Sequence, residues 1–177
     1  MDGHSPPATE ASRLLGLQRA AQAKVRVPTA RARTDRLYQL EDMIRKRAES
    51  FADAISADFG SRSRFETDLL ETMVLVSAIR YARKNVKWWM QPNYREVGAN
   101  FWPGSAWVRP EPLGVVGIVS PWNYPLQLAL SPVVDAIAGG NRVMIKPSEQ
   151  TPNFGDLLKR AISETFEEDE IAVVLGG

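Results

Sequence analysis

Apolar side chains in the first half of the chain recur at steps of three and four residues, which is the spacing of an amphipathic helix. The pattern predicts three helices, at about residues 12–27, 29–59 and 64–89. Gly60 ends the second helix and Pro92 closes the third, because both residue types terminate helices. Residues 1–11 carry no such pattern and are predicted to form a disordered tail. The N-terminal helical region is therefore expected to span residues 12–99.

After the third predicted helix the helical period is lost. The pair Pro103-Gly104 is a turn signal between short runs of aromatic and β-branched residues. It predicts a hairpin or extended arm over residues 100–112. Trp102 and Trp107 flank the turn and can pair across it. Such tryptophans are more typical of packing or subunit contact than of a binding platform.

Residues 113–177 alternate between apolar runs and helix-like segments. Strands are predicted at 114–119, 142–145 and 171–175, with helices at about 126–138 and 154–166. Unbroken apolar strands that alternate with helices are typical of parallel βαβ units. We therefore expect an α/β fold, in which N-terminal helices precede the first βαβαβ part of a Rossmann-like parallel sheet. A sheet of so few strands is expected to leave some of its apolar side chains only partly covered: Val115, Val116, Ile118, Val143 and Ile145.

Composition and charge exclude several classes of function. The 22 Lys and Arg residues balance 21 Asp and Glu residues, so no overall field directs the chain to nucleic acid. The chain has no cysteine, and its only histidine is His4, so neither a histidine-centred triad nor a metal site is expected. The N-terminus lacks a secretory pattern, and Pro132 and Asp135 interrupt the most apolar stretch. A cytoplasmic protein without a membrane span is expected.

The first strand ends in the loop "SPWNYP", at the edge where parallel sheets collect ligands. The loop has no Gly-x-Gly-x-x-Gly pattern, which excludes the pyrophosphate turn of the common dinucleotide fold. It does offer Asn123 between Pro121 and Pro125, which restrict the backbone. An amide held in this way can stabilise an oxyanion. It can also cap the following helix, and the spacing alone favours this interpretation without excluding the first.

The second strand ends in "KPSEQTP", with Glu149 three residues after Lys146. A carboxylate and an ammonium group at the end of a parallel strand can bind ribose hydroxyls, the first accepting and the second donating hydrogen bonds. The alternative is an ordinary surface ion pair, which contributes little to stability. The residues alone do not decide between the two.

Several stretches resemble a known family. The segments "PLGVVGIVSPWNYPLQLAL", "AIAGGNRVMIKPSEQTP" and "VLGG" resemble, in this order, the N-terminal part of the aldehyde dehydrogenase superfamily. "AISADFGSRSRFET" and "RPEPLGVVGIVSPWNYPLQLAL" are similar to its coniferyl aldehyde dehydrogenase branch. The resemblance runs from about residue 12 to residue 177. It implies NAD(P)-dependent oxidation of an aldehyde, aromatic of the coniferyl type or medium-chain, to the carboxylic acid.

The resemblance also implies a role for each matching residue. Asn123 hydrogen-bonds the oxyanion of the thiohemiacetal. Lys146 and Glu149 contact the adenosine ribose, with Ser148 close by. The residues that border the cofactor are Val119, Ser120, Pro121 and Trp122. A carboxylate beside the ribose repels a 2′-phosphate, so NAD is the expected cofactor and NADP the alternative.

The chain departs from the family in one respect that matters for catalysis. The family mechanism needs a cysteine nucleophile and a glutamate base, and these 177 residues, which resemble about the first third of the enzyme, contain no cysteine. The isolated chain is therefore expected to be inactive. The alternative is a non-catalytic module that associates with a full-length aldehyde dehydrogenase subunit through its helices and arm. Extended arms form intersubunit sheets in the family, so a homo-oligomer is also expected.

Overall fold

The N-terminal half of the molecule is helical in the computed structural model, which describes residues 7–176. The helices are α1 (Pro7–Lys24), α2 (Ala30–Lys46), α3 (Ala48–Asp58), α4 (Arg64–Thr67) and α5 (Met73–Trp89). A π-helical turn, Asp68–Thr72, joins α4 to α5 without a break. The third predicted helix is thus confirmed as one nearly continuous segment.

Two predictions about this region need correction. Helix α1 begins at Pro7, so the described part of the predicted tail is helical, and His4 lies outside the described residues. The single helix predicted over residues 29–59 is wrong, because α2 and α3 meet at Arg47, whose φ of −114° departs from helical geometry. The Arg47 N–H bonds to the carbonyls of Met43 and Ile44 at 3.2 and 3.3 Å. Since one residue separates the helices, the apolar spacing continues across the break and conceals it.

The segment after α5 forms the predicted hairpin, but with different bounds. Strand β1 (Asn93–Arg95) pairs antiparallel with β2 (Ala106–Val108). The predicted pairing of Trp102 with Trp107 is wrong: Trp107 lies opposite Tyr94, with ring centroids 6.4 Å apart. Residues 96–105 form a long loop between the strands. Pro103-Gly104 belongs to this loop and is not a tight hairpin turn, which is why its flanking tryptophans do not face each other.

The C-terminal part is a three-stranded parallel sheet with two crossover helices. Its elements are β3 (Val115–Val119), α6 (Pro125–Gly139), β4 (Arg142–Lys146), α7 (Pro152–Ser163) and β5 (Ile171–Val173). The strand order is β3-β4-β5, and both pairs are parallel. The predicted α/β class and βαβαβ order are confirmed.

The two faces of this sheet are covered by different helices. On one face, the strands share a single hydrophobic core with helices α2, α3, α5, α6 and α7. Val143 and Ile145 are fully buried in this core, and Ile118 is nearly so. Helix α1 packs on the opposite face, with Leu14 buried against Ala172 and Val174. The expectation that the strand residues stay partly uncovered is therefore wrong for Ile118, Val143 and Ile145, because the crossover helices α6 and α7, backed by the N-terminal helices, cover this face.

Exposure is concentrated at β3, which is an edge of the sheet. Val115 and Val116 are half-buried, whereas Val119, at the carboxyl end, is 78% exposed. Val119 borders an apolar groove of about 450 Å³ between α1 and the sheet. Of the helices within residues 7–176, none is both long enough and apolar enough to cross a bilayer.

Candidate functional site

The carboxyl ends of β3 and β4 lie side by side. Val119 is in register with Lys146, and the backbone N–H of Ser120 donates to the Lys146 carbonyl at 3.0 Å. The two strand ends singled out in the sequence therefore form one edge, as a parallel sheet requires. Within residues 7–176, no hydrogen bond or ring contact joins Trp122 or Asn123 to the Lys146 side chain.

Asn123 does not cap the helix that follows it. The cap position of α6 is Tyr124, whose backbone is left-handed at φ 50° and ψ 56°. The first N–H groups of α6 are bound instead by Glu71, whose Oε2 accepts from Leu126 at 2.8 Å and from Gln127 at 3.1 Å. The Asn123 side chain is exposed and makes no hydrogen bond within the described part of the chain. Its amide is available to a ligand.

The second crossover helix has a similar remote cap. Asp58, at the end of α3, accepts hydrogen bonds from the backbone of Asn153 at 3.0 Å and of Phe154 at 2.9 Å, in the first turn of α7. In the common dinucleotide fold such a helix N-terminus holds the pyrophosphate. Here carboxylates from the N-terminal helices occupy both helix N-termini. Those N–H groups are therefore not free to bind a pyrophosphate in the manner of the common dinucleotide fold.

The loop after β3 is braced by aromatic and cationic contacts that the sequence did not reveal. The ring of Trp122 lies 6.0 Å from that of Phe59, measured between centroids. The Arg62 guanidinium lies 4.6 Å from the ring centroid of Tyr124 and 5.1 Å from that of Phe59. Contacts of this kind between a cation and a ring are attractive. No local pattern marks Phe59 or Arg62, because both stand about sixty residues before the loop they contact.

Glu71 is the buried charge of this site. Its side chain is fully buried, and its Oε1 lies 3.4 Å from Nη2 of Arg62. Burial raises the pKa of the Glu71 carboxyl above its ordinary value, and the N–H groups of Gln127 and Leu126 and the charge of Arg62 oppose this shift only in part. Its position within an otherwise helical, partly apolar segment gave no sign of this role.

The loop after β4 presents Lys146 and Glu149 as a pair. The Nζ of Lys146 donates to Oε2 of Glu149 at 2.8 Å, and this hydrogen bond lowers the pKa of Glu149. Ser148 fixes the loop, since its hydroxyl accepts from the Gln150 N–H at 3.2 Å and its carbonyl accepts from the Thr151 hydroxyl at 3.3 Å. Glu149 is therefore ionised at neutral pH and held beside an ammonium group.

One polar group at the edge has no partner. Ser120 is 5% exposed, and its hydroxyl oxygen makes no hydrogen bond within the described residues. A buried hydroxyl without a partner is unfavourable unless a water or a ligand binds it. Over the same residues, 7–176, no group of three or more His, Asp or Glu side chains is placed to hold a metal ion.

Comparison with known proteins gives a consistent picture. The sequence profile of the Aldehyde dehydrogenase family matches residues 6–177. A probable coniferyl aldehyde dehydrogenase of Pseudomonas aeruginosa is 48% identical over 163 residues, which are 92% of this chain and 34% of that protein. The coniferyl aldehyde dehydrogenase of Pseudomonas sp. is 43% identical over 145 residues, which are 81% of this chain and 30% of that protein. The chain spans about a third of the length of these curated relatives.

Solved structures share the fold. The substrate-bound Staphylococcus aureus AldH matches with a TM-score of 0.90 and 30% identity, over 94% of this chain and 36% of that one. PnpE, solved in complex with nicotinamide adenine dinucleotide, matches with a TM-score of 0.80 and 26% identity, over 96% of this chain and 34% of that one.

Proposed function

The chain belongs to the aldehyde dehydrogenase family, and we propose that it supplies the oxyanion donor and the adenosine-ribose contacts for NAD(P)-dependent oxidation of an aldehyde to the carboxylic acid. The observation that carries this proposal is the free amide of Asn123. It stands on a braced loop at the sheet edge, next to the strand that presents Lys146 and Glu149. The two coniferyl aldehyde dehydrogenases at 48% and 43% identity support an aromatic aldehyde of the coniferyl type as substrate.

Asn123 is proposed to act on the charge that develops at the aldehyde oxygen. When a nucleophile adds to the carbonyl carbon, the oxygen becomes an oxyanion, and an amide N–H can donate a hydrogen bond to it. A preorganised donor of this kind lowers the barrier by about 3 to 4 kcal/mol. Asn123 is free for this task because Glu71 already caps α6. The 177 residues contain no cysteine, so a thiol nucleophile must come from outside them, and the chain alone is expected to be inactive.

The residues at the two strand ends fit a nicotinamide dinucleotide. Glu149 can accept hydrogen bonds from ribose hydroxyls, and Lys146 can donate to them. The unpartnered hydroxyl of Ser120 is a buried group that a bound molecule would satisfy. Val119, Pro121 and Trp122 are exposed beside it and are proposed to border the cofactor, with Ser148 holding the second loop. When bound, the cofactor would accept the hydride that leaves the substrate.

The hairpin is proposed to contribute to a homo-oligomer. It carries large apolar side chains that are each more than half exposed: Tyr94, Phe101, Trp102, Trp107 and Val108. An apolar surface of this kind on a hairpin with a free edge favours pairing with another chain. Association with a full-length aldehyde dehydrogenase subunit would use the same surface.

A hybrid protein tests the proposed activity. In it, residues 12–177 replace the matching segment of the Pseudomonas aeruginosa relative, which supplies the remainder. We expect the hybrid to reduce NAD⁺ or NADP⁺ when coniferyl aldehyde is added, whereas the 177-residue chain alone does not. The relative without its N-terminal third is the control. A folded hybrid that binds the cofactor but produces no NAD(P)H from any aldehyde would contradict the proposal.

A further inference from the structure

The residues on both sides of Asn123 are held by one cluster from the N-terminal helices. Trp122 packs against Phe59, and Tyr124 lies against Arg62. Arg62 also lies against Phe59, so its guanidinium contacts the rings of both Tyr124 and Phe59. The Arg62 side chain is only 8% exposed. Within residues 7–176, the Asn123 side chain makes no hydrogen bond that would fix its position.

The same cluster fixes the start of α6. Glu71 contacts Arg62 through one carboxylate oxygen, at 3.4 Å, and binds the N–H groups of Leu126 and Gln127 through the other. The buried Glu71 carboxylate thus connects Arg62, which supports the loop at residues 120–124, to the start of α6. Glu66 adds a second contact to Arg62, at 3.2 Å.

The backbone at Tyr124 needs such support. A non-glycine residue at φ 50° is less stable than in the right-handed region, typically by about 1 to 2 kcal/mol. Such a conformation persists where its surroundings hold it. The contact of Arg62 with the Tyr124 ring and the bonds of Glu71 to the next turn are the surroundings the structure provides.

We infer that Arg62 and Glu71 are positioning residues that hold the Asn123 amide ready for the oxyanion. This inference rests on the proposed function of Asn123. Arg62 lies directly against Tyr124 and supports Trp122 through Phe59, whereas Glu71 holds Arg62 and the first turn of α6. Neither residue touches the reacting atoms, so each acts through the loop.

Amide relaxation and hydrogen exchange in the 177-residue chain test the inference without any need for activity. In Arg62→Met, the backbone order parameters of Trp122, Asn123 and Tyr124 are expected to fall from about 0.85 toward about 0.6. Exchange at Leu126 and Gln127 should stay slow in that variant. In Glu71→Ala, those two amides should exchange about tenfold faster, because the helix loses its cap. Arg64→Met is the matched control, since Arg64 is an exposed arginine whose side chain pairs, among residues 7–176, only with Asp53.

Glu71→Gln guards against a variant that fails to fold. It keeps an acceptor for the α6 N–H groups but loses the charge that faces Arg62, so the loop should become mobile while Leu126 and Gln127 remain protected. Unchanged order parameters at residues 122–124 in folded Arg62→Met and Glu71→Gln would overturn the inference. Such a result would contradict the positioning role of Arg62 and Glu71 without affecting aldehyde oxidation by the hybrid. An inactive hybrid would contradict the proposed function without changing the order parameters, so failure of the one can be distinguished from failure of the other.

Discussion

The ammonium group of Lys146 lies 2.8 Å from a carboxylate oxygen of Glu149, where β4 ends beside the Asn123 loop. Because Lys146 lowers the pKa of Glu149, the carboxylate is ionised at any pH at which a dehydrogenase is assayed. In the proposed cofactor site, a negative charge at this place would repel the 2′-phosphate of NADP and accept hydrogen bonds from the ribose of NAD. If this pair lies in the proposed cofactor site, it is expected to influence which cofactor is preferred.

Replacing Glu149 should change this preference. In the hybrid, we expect Glu149→Gln to raise the affinity for NADP⁺ relative to NAD⁺ by about three- to tenfold. The substitution removes one negative charge that would repel the 2′-phosphate, and the site is exposed to solvent, which keeps the effect modest. Dissociation constants from calorimetric titration of both cofactors provide the measurement. Glu167→Gln, an exposed change away from the strand ends, is the control. An unchanged ratio of the two constants would mean that Glu149 does not face the ribose.

The pH dependence of stability should depend on Glu41. Burial raises the pKa of this carboxyl, but hydrogen bonds from Arg45, Arg80 and Arg83 outweigh burial and lower the pKa below its ordinary value of 4.5. A depressed folded-state pKa contributes stability above pH 4.5, and this contribution disappears as the pH falls through the folded-state value.

We therefore expect Glu41→Gln to lower the free energy of unfolding at pH 7 by about 1 to 3 kcal/mol, less than for a fully buried pair because two of the arginines are half-exposed. The difference from wild type should shrink as the pH falls below 4.5. Urea unfolding between pH 3 and pH 7 measures it. Glu49→Gln, at an exposed glutamate on α3, should leave the free energy within about 0.5 kcal/mol at every pH. A constant difference for Glu41→Gln would refute the assigned cause.

Asn141 joins the residue before β3 to the last turn of α6. Its Oδ1 accepts from the N–H of Gly114 at 3.0 Å, and its Nδ2 donates to the carbonyl of Ala136 at 3.2 Å. Asn141→Ala removes both bonds and leaves the Gly114 N–H without its partner, so the free energy of unfolding should fall by about 1 to 3 kcal/mol. Asn85→Ala removes one exposed bond and should cost less than about 0.5 kcal/mol. Equal losses in the two variants would contradict this assignment.

The hairpin should control self-association. Trp102 is 78% exposed in its loop, and we expect the purified chain to associate through this surface. Trp102→Ser should shift the molar mass from light scattering toward the monomer. Trp88→Ser changes a tryptophan that is 73% exposed on α5 and should leave the mass unchanged. A wild-type chain that is monomeric at all concentrations would contradict self-association through the hairpin.

Whether a feature could be predicted from the sequence depends on how far apart along the chain the interacting residues lie. Strands β3 and β4 were predictable because both are unbroken apolar runs, although only β4 is largely buried on both faces. The resemblance indicated Asn123 and the Lys146–Glu149 pair. The caps supplied by Asp58 and Glu71 were not predictable, because sequence rules for capping connect residues three or four apart, and these carboxylates bind helices 95 and 55 residues further along the chain. The same limit concealed Arg62.

The most direct test of the central claim is the turnover number of the hybrid with Asn123→Ala. If the Asn123 amide stabilises the oxyanion, kcat for coniferyl aldehyde should fall by about 10²- to 10³-fold, while the dissociation constant for NAD⁺ stays within about twofold. Gln127→Ala, four residues away on α6, is the matched control and should retain kcat within a small factor. A kcat for Asn123→Ala close to that of the unmodified hybrid would contradict the account.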